Sequence, residues 1–97
     1  AVGADFSGAN LMGVDLVGAD LRNANLSQAL LVNADLTGAT LLRANVVGAN
    51  LFWADLTGAD VSGADFGAID LFAVDLTEVR YDAATRWPEG FVPPPSR

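Results

Sequence analysis

The hexapeptide Ala34-Asp35-Leu36-Thr37-Gly38-Ala39 (ADLTGA) returns letter for letter as Ala54-Asp55-Leu56-Thr57-Gly58-Ala59. Twenty positions before the first copy stands Val14-Asp15-Leu16-Val17-Gly18-Ala19, and twenty after the second stands Val74-Asp75-Leu76-Thr77-Glu78-Val79. A word that persists and decays at fixed spacing marks a structural repeat, so the period comes before any secondary structure. The finest period is five. Every fifth residue from Phe6 to Tyr81 is a larger apolar residue, and two positions before each lies a small or branched one, from Ala4 through to Val79. Between them stands Asp or Asn in thirteen of sixteen repeats, the departures being Leu30, Thr40 and Arg80. Two positions after the large residue, glycine fills the place in seven repeats.

A period of five fits neither the 3.6 of a helix nor the 2 of an alternating strand. It suits a short extended piece followed by a turn. The large and small apolar residues then point inward, while Asp, Asn and Gly supply turn chemistry and a polar exterior. Backbone groups must pair between successive coils. The units ADFSG, ANLMG, ADLRN, ADLTG and ANLFW resemble the A-(D/N)-L-x-x repeat of the pentapeptide-repeat family, over roughly residues 4–83. That resemblance implies an all-β fold, a right-handed quadrilateral parallel β-helix with four repeats per coil. The recurring word is then one face of the solenoid met again a coil later. Sixteen repeats give about four coils and, at ~4.8 Å each, a rod roughly 20 Å long.

Residues 1–83 are expected to form this β-helix, and 84–97 a short C-terminal cap with a Pro-rich tail. The stretch YDAATRWPEGF (81–91) resembles the terminal cap of some family members, with Tyr81, Trp87 and Phe91 as its aromatic residues. Trp87 and Phe91 flank Pro88-Glu89-Gly90, a turn able to fold both rings over the last coil. Pro93-Pro94-Pro95 is expected to run on as an extended, poorly ordered tail. No comparable cap is visible at the other end, so Phe6, Leu11, Leu16 and Leu21 are expected to lack a coil above them. Burying such a side chain is worth roughly 1.5–3 kcal/mol, which predicts an end-to-end homodimer or a further upstream segment.

If the register holds, residues twenty apart form columns. One column carries Asp15, Asp35, Asp55 and Asp75, an acidic ladder found on no other face. Like charges at this spacing repel by roughly 0.9 kcal/mol per pair in water, so the carboxyl pKa values of Asp35 and Asp55 are expected to rise. Each carboxylate could equally do no more than bond its own turn. Thr37, Thr57 and Thr77 stand beside the ladder, a single column without the second row that an ice-matching lattice would want. Next to it, the outward positions read Met12, Val32, Phe52 and Phe72, with Trp53 adjoining and Leu30 replacing a polar residue. Aligned exterior aromatics commonly mark a partner surface, unless the C-terminal segment folds back over them or they pack laterally on one another. Trp53, Arg43 and Glu78 occupy the corner position where glycine is frequent, and are expected to turn with negative φ.

The composition removes whole classes of chemistry. There is no cysteine, histidine or lysine, and the four serines have no base to activate them. Disulfides, thiolate or imidazole metal sites and nucleophilic catalysis are thereby excluded, so the chain reads as a non-enzyme with no cofactor. Twelve acidic groups against five arginines give −7, a surface that repels nucleic acid and anionic membranes. The longest uncharged stretch, residues 23–34, is too short to span a bilayer. Two functions fit. The first is a structural or protein-interaction module, a rigid acidic rod whose aromatic face meets an unidentified protein or forms a homodimer. The second follows from the family, some of whose members bind DNA gyrase as duplex mimics. Residues 1–79 hold ten acidic groups and two arginines, net −8, against one charge per ~1.7 Å of duplex DNA. The resemblance also implies a bacterial, in particular cyanobacterial, origin. The cytoplasm is the default compartment. A chain starting without methionine suggests N-terminal processing, which leaves the periplasm or thylakoid lumen open.

Overall fold

Residues 2–71 and 73–96 are described by the computed structural model of the chain. Three residues of each repeat run extended and the rest make a corner, so each face is too short for a conventional strand. Pairing is carried instead by isolated parallel bridges between Asp or Asn positions twenty apart. Asp5 bridges Asn25, which bridges Asn45 and then Asp65; Asp15, Asp35, Asp55 and Asp75 form a second such series. Residues 3–22 therefore form a first coil, lying over 23–42, 43–62 and 63–82 in turn.

One hydrogen-bond rule repeats down the stack. The Asn25 N–H donates to the Ala4 carbonyl one coil earlier (2.8 Å), and the Asn25 carbonyl accepts from the Phe6 N–H (2.7 Å). At the corner, the Gly8 N–H donates to the Ser27 carbonyl (2.9 Å). Most corners are closed by a further bond, such as the Ala54 N–H to the Leu51 carbonyl (2.8 Å).

The corners correct one expectation. Arg43, Trp53 and Glu78 have φ of 55°, 63° and 57°, as positive as the glycines. A positive φ at the third residue, with none at the second, is a type II turn. The reason lies in the central amide of the turn. The Arg43 N–H donates to the Ser62 carbonyl (2.9 Å) and the Leu42 carbonyl accepts from the Asn23 N–H (2.9 Å). A type I turn would flip that amide and reverse both groups. The stack fixes the turn type, and the side chain accepts the strain.

The core is a square column of large residues, Leu26, Leu31, Leu36, Leu51, Leu56 and Phe66 among them, lined by alanines. Phe6, Leu11 and Leu16 at the first coil are only partly buried, but Leu21, expected to share their exposure, is 2% exposed. At the other end Arg86 bridges Asp65, a spacing of twenty-one instead of twenty. The extra residue is absorbed around Asp82, whose carboxylate accepts from the N–H groups of Ala84 (3.0 Å) and Gly63 (3.1 Å). Thr85-Arg86-Trp87 therefore acts as a further small–polar–large unit, and regular pairing runs past residue 83. Trp87 stacks on Phe66 (5.1 Å between centroids, 5° between planes), meets Tyr81 edge-on (5.2 Å) and contacts Phe91 (5.4 Å).

The tail is tied down rather than loose, contrary to expectation. The Tyr81 hydroxyl donates to the Pro94 carbonyl, and the Tyr81 N–H donates to Ser96 Oγ (3.0 Å). Prolines offer no N–H, so this strap covers the end without extending the ladder.

Candidate functional surfaces

On every face the Asp or Asn side chain serves its own corner. Oδ1 of Asp35 accepts the Thr37 N–H (3.1 Å) and the Thr37 hydroxyl (2.6 Å); Asp75 does the same with Thr77 (2.9 and 2.6 Å). These are Asx turns, made possible because the carboxylate reaches the backbone two residues on. The column Asp15, Asp35, Asp55, Asp75 is in register, as its bridges require. Repulsion does not dominate Asp35, where a rise was expected. Its carboxyl is held below the ordinary carboxylate range, first by the Thr37 hydroxyl and then by the Thr37 N–H, against a smaller effect of burial. The Asp75 carboxyl is lowered in the same way by Thr77, with a contribution from the Thr57 hydroxyl one coil away.

The adjoining corner carries the apolar group. Trp53 is 59% exposed, Met12 55% and Leu30 39%, while Val32 and Phe52 are half-buried. Phe52 and Trp53 meet edge-on, with centroids 5.4 Å apart. Phe72, the remaining residue of this set, lies outside the described residues. The tail runs to Tyr81, on the opposite side of the rod, and so is not a lid over this corner.

Sequence reading missed a break in the ladder beneath this face. Asp70 forms no bridge, although the positions above it in its column, Asn10, Leu30 and Asn50, are bridged. Ile69, the residue before Asp70, stands beneath Ala9, Ala29 and Ala49; a branched residue does not by itself break the ladder, since Asp75 and Arg80 stay bridged beside Val74 and Val79. Two cavities flank the displaced segment. One of about 370 Å3 is lined by Val32, Ala49, Asn50, Phe52, Ala68, Ile69 and Asp70. The other, of about 440 Å3, lies between Ile69–Leu71 and the cap turn at Pro88–Phe91. Among the described residues no group of acidic side chains could hold a metal ion, and no helix is long and apolar enough to cross a membrane.

The family model described as pentapeptide repeats (8 copies) matches residues 1–28, 19–58 and 49–80. The chain belongs to the pentapeptide-repeat family. Such proteins form right-handed quadrilateral β-helices and are in general structural repeats rather than enzymes. Among solved structures, the pentapeptide-repeat protein Rfr23 from the cyanobacterium Cyanothece 51142 is 36% identical, with a TM-score of 0.67 over 89% of this chain and 62% of that one. The pentapeptide-repeat protein alr5209 from Nostoc Pcc 7120 is 31% identical, with a TM-score of 0.74 over 91% and 77%. The chain thus spans less than two thirds of the Cyanothece protein. No curated protein matches it.

Proposed function

We propose that this pentapeptide-repeat chain is a non-enzymatic interaction module, a rigid acidic rod that offers the Met12–Leu30–Val32–Phe52–Trp53 corner to a protein partner. Trp53 carries the reading. A bulky residue at a φ of 63° is strained by about 1–3 kcal/mol, and here it holds its ring mostly in solvent against Phe52. Neither burial nor turn chemistry recommends tryptophan there, whereas an aromatic anchor for a partner does. The acidic ladder on the neighbouring face biases that partner toward basic surfaces. A homodimer through this corner, or through the end bearing Phe6, Leu11 and Leu16, belongs to the same proposal. A photo-crosslinking residue placed at Val32 in cells should trap one predominant protein, and Phe52→Ser with Trp53→Ser should abolish the product while leaving circular dichroism unchanged. No crosslink, or one indifferent to those substitutions, would sink the reading.

A second reading is favoured by the register of Asp15, Asp35, Asp55 and Asp75. Stacked carboxylates at the spacing of a β-ladder could stand in for backbone phosphates and engage DNA gyrase. Purified protein titrated into a supercoiling assay should then inhibit in a salt-sensitive way, and the four Asp→Asn changes should remove the effect. Absence of inhibition at high concentration would dispose of it.

A further inference from the structure

We propose that the C-terminal side of Ile69–Leu71 is a one-strand slot for an extended peptide of a partner protein, with an arginine or lysine facing outward between apolar neighbours. This deepens the interaction-module reading, at a place distinct from Phe52 and Trp53. The cap itself shows how that edge is filled. On the preceding face the Arg86 N–H donates to the Ala64 carbonyl (2.9 Å) and the Arg86 carbonyl accepts from the Phe66 N–H (2.8 Å). The Arg86 guanidinium lies 3.9 Å from the Asp65 carboxylate above it. One face further on, where the same rule would place the next added strand, stand the Ile69 carbonyl and the Leu71 N–H. Among the described residues neither has a hydrogen-bond partner.

The chain does not continue into this position because it turns early, at Pro88–Phe91, closed by the Phe91 N–H to the Pro88 carbonyl (3.0 Å). What remains is the cavity of about 440 Å3 lined by Ile69, Asp70, Leu71, Pro88, Glu89, Gly90 and Phe91. An unfilled edge of this kind accepts an added strand through main-chain bonds, with side-chain pockets setting the choice. A residue exchanging both bonds with Ile69 and Leu71 would lie below Asp70 as Arg86 lies below Asp65. Asp70 and Glu89 are both exposed carboxylates at the mouth, so the outward residue should be basic. Its neighbours would face Leu71, Phe91 and Pro88, and should be apolar.

The probe is acetyl-Gly-Val-Arg-Leu-Gly-amide, titrated into the 15N-labelled full chain and followed by amide shifts. Saturable shifts are expected at Ile69, Leu71 and Gly90. Methylating the main-chain nitrogen of the peptide's arginine residue, which removes the donor to the Ile69 carbonyl, should weaken binding by about tenfold. Replacing that arginine by glutamate, or Asp70→Lys in the protein, should weaken it at least as much. Trp53→Ser should leave it unchanged, which separates this slot from the exposed aromatic corner. Absence of saturable shifts at millimolar peptide, equal binding by the methylated peptide, or shifts confined to Phe52 and Trp53 would overturn the proposal.

Discussion

The Asx oxygen and the corner amide carry most of the local information in this fold. Asp5, Asp20, Asp35 and Asp75 all accept hydrogen bonds that favour the ionised carboxyl, from Ser7, Arg22, Thr37 and Thr77 respectively. Their folded pKa values lie below the unfolded ones, so their contribution is present above about pH 4 and is lost as pH falls through the folded values. The melting temperature should therefore change little between pH 7 and 5 and fall below about pH 4. Asp35→Asn with Asp75→Asn keeps an acceptor, as Asn25 does for Ser27, but takes up no proton, so its decline should be shallower. Parallel curves for the two proteins would rule out these carboxylates as the source. Corner strain gives a second residue-level test. Ala68 has a φ of 60° and is exposed, so Ala68→Gly should stabilise the rod by up to about 1 kcal/mol in urea. The Asx turns could be read from the sequence because they are local. The turn type could not, since it is set by the central amides of the coils above and below.

At the level of the cap, aromatic contacts replace the missing coil. Trp87 touches Phe66, Tyr81 and Phe91 at once, so Trp87→Ala should cost about 3 kcal/mol in denaturant unfolding and expose the last core layer. A loss below about 1 kcal/mol would mean that the strap through Pro94 and Ser96 closes the end unaided. The aromatic residues of the cap stand out in the sequence because the five-residue pattern stops there. The one-residue insertion that lets Arg86 bridge Asp65 does not, because it is visible only once pairing partners are known. Ile69 is intermediate. Its column reads Ala9, Ala29, Ala49, Ile69, but Val79 ends a similar column beside a bridged Arg80, so residue size alone does not mark the break at Asp70.

Across the whole molecule, net charge works against compactness, on top of the larger cost in chain entropy. A net −7 on a body of 29 × 21 × 19 Å repels itself, and salt screens that repulsion over roughly 10 Å at 0.1 M. The melting temperature should rise between low salt and half-molar sodium chloride, and rise less when Asp15, Asp35, Asp55 and Asp75 are all Asn. A wild-type melting temperature indifferent to salt would show that the Asx hydrogen bonds outweigh the ladder's repulsion.

The faces of the rod were legible because one arithmetic, twenty residues to a coil, places every outward side chain. Because four identical corners make one coil, the chain also behaves as a dial. Removing twenty residues shortens the rod by ~4.8 Å and leaves every downstream face on its original bearing. Removing five turns everything downstream through a quarter revolution. The Phe52–Trp53 corner and the cap would then look in new relative directions, with no residue in either of them changed.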